Sequence, residues 1–83
     1  MVRVKEVIVV EGRYDVNAVR QIVDATVVAT DGFQIFKDKE KQGMLRSLAS
    51  RRGLIVLTDS DGAGGVIRGF LCGIVPPEQV KNA

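Results

Sequence analysis

Short apolar runs along this chain stop at carboxylates. Val7-Ile8-Val9-Val10 ends at Glu11, and Leu54-Ile55-Val56-Leu57-Thr58 ends at Asp59. Runs of this kind suit strands buried on both faces of a parallel sheet. Residues 5–10 read as the first strand. Gly12 then permits a tight turn, and Asp15 is placed to cap a following helix. Val16, Val19, Ile22 and Val23 recur at helical spacing and predict one apolar face for it. Residues 25–30 read as a second strand, ended by the turn signal Asp31-Gly32. The pattern over 33–36 is ambiguous. A second helix is expected over 38–52, with Met44, Leu45, Leu48 and Ala49 facing inward and Gly53 stopping it. Residues 54–58 form the third strand. Val66, Ile67, Phe70 and Leu71 stripe a third helix. Pro76-Pro77 breaks the chain, and 79–83 reads as the opening of a fourth strand.

The succession βαβαβα(β) implies an α/β fold with a parallel sheet and right-handed crossovers. Eighty-three residues make one small domain. The final strand lacks a clear stop, so residues 1–83 are expected to be the N-terminal part of a longer protein. The apolar fraction of 46% argues against disorder. No apolar stretch approaches the ~20 residues that span a bilayer, so a membrane is not an expected partner.

Cys72 is the single cysteine, which excludes an internal disulfide. It reads as a buried core thiol, and a reducing cytoplasm is the expected compartment. The chain has no histidine, so a structural zinc site is excluded and any metal must be held by oxygen ligands. The net charge is +2. Lys37, Lys39, Lys41, Arg46, Arg51 and Arg52 cluster mid-chain, either as a phosphate patch or as a solvated helix face interleaved with Asp38 and Glu40.

Open α/β sheets bind ligands beyond the carboxyl ends of their strands. If the first and third strands are neighbours, Glu11, Asp59 and Asp61 meet at that edge. Residues two apart on an extended chain point the same way, so Asp59 and Asp61 can face one site. Crowded carboxylates repel, and a hard divalent cation relieves them. Mg²⁺ fits this set, with Mn²⁺ as its substitute. Asp59-Ser60-Asp61-Gly62-Ala63-Gly64 also fits a plain turn and helix cap. Glu11 tips the balance, because glutamate is a poor cap and a poor turn former. Asp15 serves either as a cap or as a group orienting Arg13 or Arg68. Arg68 reads as a surface arginine or as a guanidinium gripping a phosphate oxygen. Tyr14 has no neighbouring base and reads as a rim residue.

Together, Glu11-Gly-x-x-Asp15 and Asp59-x-Asp61-x-x-Gly64, in this order after the first and third strands, resemble the Toprim domain. The resemblance covers nearly the whole chain. Val9-Val10-Glu11-Gly12-Arg13-x-Asp15, Thr30-x-Gly32 and Thr58-Asp59-x-Asp61-x-x-Gly64-x-x-Ile67-Arg68 look most like the ribonuclease M5 group within that family. The resemblance implies a Rossmann-like three-layer α/β/α fold with a four-stranded parallel sheet in the order 2-1-3-4. It implies Glu11 as general acid/base and Asp59 and Asp61 as Mg²⁺ ligands. Arg13, Gly32, Gly62, Gly64 and Arg68 would then hold phosphate oxygens. The implied activity is metal-dependent cleavage of structured RNA. The implied substrate is a 5S ribosomal RNA precursor carrying a ribosomal protein.

One position departs from the group. An acidic residue usually follows the motif glycine, and Gly65 stands there. That favours the alternative of a non-catalytic nucleic-acid-binding module. A haloacid-dehalogenase-like phosphatase would carry its Asp-x-Asp after the first strand, not the third. A receiver domain would end its first strand in paired acids, not Glu11-Gly12.

Overall fold

The computed structural model describes residues 1–58 and 62–82. In chain order the elements are β1 (Val2–Arg3), β2 (Val7–Val10), α1 (Arg13–Arg20), β3 (Val23–Asp24) and β4 (Val27–Ala29). A 3₁₀ segment, Gly32–Phe36, precedes α2 (Lys39–Arg52). Then come β5 (Leu54–Val56), α3 (Gly62–Ile74), a 3₁₀ turn at Pro77–Gln79, and β6 (Val80–Asn82). The main sheet is parallel and runs β4-β2-β5-β6. That is the expected order, with the first long strand second from one edge. The expected fourth strand is present as β6. Among the described residues no helix is long and apolar enough to cross a membrane.

Alternation along the strands sorts the side chains onto two faces. Val7, Val9, Leu54 and Val56 are fully buried on one face. They pack with Ile35, Leu45 and Ala49 from the 3₁₀ segment and α2, and with Ile67, Leu71 and Val75 in and just after α3. Fully burying one aliphatic side chain stabilises by about 1.5–3 kcal/mol, so this side holds most of the core. Ile8 and Val10 point to the opposite face, where α1 packs against β4.

Several expectations shift at the edges of elements. The apolar face assigned to the first helix does not extend to residues 22 and 23. α1 stops at Arg20, Ile22 is largely exposed, and Val23 pairs with Val2 in a second, two-stranded parallel sheet of β1 and β3. Helical spacing registers local order only and is blind to a strand partner 21 residues away. Met44 and Val66 are exposed, although both sit in apolar stripes. Gln42 is buried in place of Met44, and its Nε2 donates to the carbonyls of Ile35 (2.7 Å) and Phe36 (3.3 Å). It thereby satisfies backbone groups that the 3₁₀ segment leaves open. Cys72 is half-buried, not a core thiol, with Sγ 3.9 Å from the Asn82 side chain.

Two features tie the amino ends of the strands together. The Lys81 ammonium donates to Glu6 at 2.9 Å, reaching from β6 to the start of β2. That hydrogen bond, with help from Glu6's own backbone amide, holds the Glu6 carboxyl below the usual carboxylate range. Gly53 ends α2 at φ 83 and ψ 159. Only glycine adopts this region readily. A Cβ there would also meet Glu6 Cγ at 3.4 Å and the Gln79 carbonyl at 3.6 Å. Gly53→Ala is expected to destabilise the domain by about 1–3 kcal/mol, with Tm falling about 4–8 °C per kcal/mol. Thermal melts followed by circular dichroism check this, and an unchanged Tm would contradict it.

Candidate active site at the carboxyl edge of the sheet

Glu11 directly follows β2, and three hydrogen bonds hold its carbonyl. The Asp31 and Gly32 amides donate to it at 2.8 and 3.3 Å, and the Thr30 hydroxyl at 3.4 Å. Thr30 is buried, and its own amide donates to Val10 O at 2.9 Å. Two successive left-handed residues, Asp31 (φ 61) and Gly32 (φ 66), turn both amides onto that one oxygen. Aspartate and glycine are among the residues that tolerate this conformation. The Lys41 ammonium fixes the turn from outside, donating to Asp31 Oδ2 at 2.9 Å and to Ala29 O at 2.8 Å.

The other side of Glu11 is fixed by the start of α1. Gly12 is the N-cap, and its amide donates to Asp15 Oδ2 at 3.3 Å. Its carbonyl accepts from the Asp15 and Val16 amides. The Asp15 carboxylate therefore satisfies a backbone donor at the helix start. Arg13 and Tyr14 are exposed on the first turn.

Register places the neighbouring strand ends. Val10 pairs with Ala29 and Val9 with Val56. Leu57 continues the pairing, its amide donating to Val9 O at 2.8 Å. Carried one and two residues on, the same register sets Thr30, Glu11 and Thr58 level across three strands. Thr58 is buried, and its hydroxyl donates to Gly64 O at 3.2 Å. The half-buried Arg68 guanidinium donates to Thr58 O through Nη2 and to Thr58 Oγ1 through Nε at 3.4 Å. Gly62, at φ 57, opens α3, and Gly64 is buried within its first turn.

The structure thus brings Glu11, Gly32, Thr58, Gly64 and Arg68 to one edge. Asp59 and Asp61 lie outside the described residues. Among the described residues there is no cluster of three or more potential metal ligands. Glu11 is the candidate ligand they contain. Lys41 and Asp31 brace its turn; Asp31 carries a turn signal, but nothing in the sequence pairs it with Lys41. Only their contact across 10 residues reveals them.

A model of the Toprim domain family matches residues 5–82. The chain belongs to the Toprim family. The four-stranded parallel sheet in the order β4-β2-β5-β6 agrees with that membership. The Toprim chain is also similar to ribonuclease M5 of Clostridium botulinum, at 49% identity over 96% of this chain and 42% of that protein. It is 44% identical to ribonuclease M5 of Fusobacterium nucleatum, over 98% of this chain and 43% of that protein. The Bacillus subtilis ribonuclease M5 is 39% identical over 89% of this chain and 39% of its own length. The chain spans less than half the length of these relatives.

Proposed function

We propose that this Toprim chain carries the chemical centre of a divalent-metal-dependent endoribonuclease acting on structured RNA. The observation that carries the reading is the placement of Glu11. It stands mid-row at the carboxyl edge, level with Thr58, the residue before Asp59-Ser60-Asp61. Its similarity to three proteins named ribonuclease M5 supports an RNA substrate. A 5S ribosomal RNA precursor bearing a ribosomal protein, in the cytoplasm, is the substrate and setting that this reading assigns.

The donor chemistry fits a hard divalent cation. In the sequence Glu11 follows the first long apolar run and Asp59 and Asp61 follow the third, and histidine is absent. Asp59 and Asp61, with Glu11 adjacent, would hold Mg²⁺ or, in its place, Mn²⁺. Such an ion, when bound, supplies positive charge against the phosphate.

The remaining work falls to the chain's own groups. Glu11 takes or gives the proton at the attacking or leaving oxygen. Its backbone clamp fixes the main chain from which the carboxylate projects, and pre-positioning carries much of a rate enhancement. The Gly32 amide bonds to the Glu11 carbonyl, so Gly32 acts by shaping that turn. Gly62 and Gly64 open α3, whose amino end favours a phosphate oxygen. Arg13 and Arg68 flank the edge as phosphate donors, and Asp15 keeps the first turn of α1 in place.

The test is cleavage of an end-labelled 5S precursor by the full-length gene product. Cleavage is expected in millimolar Mg²⁺ or Mn²⁺ and none in EDTA. RNA binding without cleavage in either ion would replace the enzyme with a binding module, the reading that Gly65 favours.

A further inference from the structure

A cleft of about 620 Å³ opens at the amino edge of the sheet, opposite Glu11. Its lining comes from the segments that lead into three strands. Arg3 and Lys5 precede β2, Asp24 and Thr26 precede β4, and Arg51 and Arg52 precede β5. Four of these six residues are cationic and one is acidic. Set those five aside, and the chain's 12 basic and 10 acidic residues leave eight against nine. The whole positive excess of the chain is therefore gathered in this cleft.

The cationic groups are partly organised. Arg52 is half-buried, with Nε donating to Lys5 O at 2.7 Å and Nη1 to Thr26 Oγ1 at 3.1 Å. Those bonds hold its guanidinium at the floor of the cleft. Arg3 meets Asp24 at 3.5 Å but remains largely exposed, so this pairing is weak. Lys5 and Arg51 are exposed beside it. A fixed guanidinium with exposed cations around it suits phosphate oxygens along a backbone, where Arg52 gives geometry and the others give charge.

We infer that this cleft is a second RNA-contacting surface, which binds the phosphate backbone of a duplex segment without reading its sequence. The choice of RNA rests on the function proposed above. The longest dimension of the protein is 33 Å. A structured RNA that exceeds that length and folds around the domain can touch the amino-edge cleft while another part of it lies at Glu11. Contacts to duplex RNA are largely to phosphate and sugar, which matches a cleft that Val4 and Ala25 line together with four cations.

The test measures binding alone. A fluorescein-labelled 20-base-pair RNA duplex is titrated with the 83-residue chain in EDTA, at several salt concentrations, and read by anisotropy. Affinity is expected to fall linearly on a log–log salt plot. Arg3→Gln with Arg51→Gln is expected to weaken binding at least ten-fold at low salt and flatten the slope by about two. Lys37→Gln with Lys39→Gln, at the opposite end of α2, is expected to change affinity less than two-fold. Circular dichroism melts confirm that both pairs fold. The inference is overturned if the Arg3 and Arg51 pair binds like wild type, or if the lysine pair loses more. It is also overturned if polyglutamate of equal charge displaces the duplex as well as unlabelled RNA does. Because no cleavage is measured, a full-length protein that never cuts RNA would refute the nuclease and leave this result standing.

Discussion

Glu11→Gln in the full-length gene product is expected to abolish RNA cleavage while leaving RNA affinity within a few-fold. Losing a positioned proton-transfer group typically removes about 10²–10⁴ of rate. Glutamine keeps the size and the polar end of the side chain but cannot exchange a proton at neutral pH. The three hydrogen bonds that fix this position run to the Glu11 backbone carbonyl, not to its side chain. The turn at Asp31-Gly32 should therefore survive the substitution, and Tm should stay near wild type. Single-turnover cleavage and RNA binding, measured on the same preparation, separate chemistry from recognition. Cleavage at the wild-type rate would remove Glu11 from the mechanism. A large drop in Tm would mean that the loss reflects folding and not chemistry.

The central strands are legible as apolar runs, although the expected 5–10 and 54–58 shorten to 7–10 and 54–56. Val7–Val10 and Leu54–Val56 are apolar throughout and end where the chain must meet water. Their order in the sheet came from the motif resemblance, since apolar runs alone do not say which strand lies beside which. Glu11 was legible for the same reason as its strand, being a charge placed where an apolar run stops.

The bracing of the site was not legible. The Lys41 bridge to Asp31 and the clamp on the Glu11 carbonyl depend on a turn with two left-handed residues, and only Asp31-Gly32 hints at it. β1 and β3 have two residues each, too few to show a period. The mid-chain basic cluster, open to reading as a phosphate patch or as a solvated helix face, is close together in sequence but not in space. α2 spans 14 residues, or about 21 Å at 1.5 Å per residue. It carries Lys41 to the carboxyl edge and Arg51 and Arg52 to the amino edge.

Arg68 is where stability and function are expected to be coupled. Its guanidinium bonds both the carbonyl and the hydroxyl of Thr58, the last described residue before Asp59. Arg68→Ala leaves those buried acceptors without that partner, which costs about 1–3 kcal/mol and about 4–8 °C in Tm per kcal/mol. It also frees the strand end that leads into the acidic motif. A fall in cleavage of at least about ten-fold is therefore expected, borne mainly by kcat, because a 1 Å misplacement alone can cost about 10²-fold. Arg68→Lys separates positioning from phosphate contact. Lysine keeps the charge but not the planar fork that reaches two oxygens of one residue. If Arg68 positions the Thr58 end, the lysine variant loses both Tm and kcat. If it only contacts phosphate, Tm holds in both variants and KM rises. A wild-type melting temperature for Arg68→Ala would rule out the positioning role.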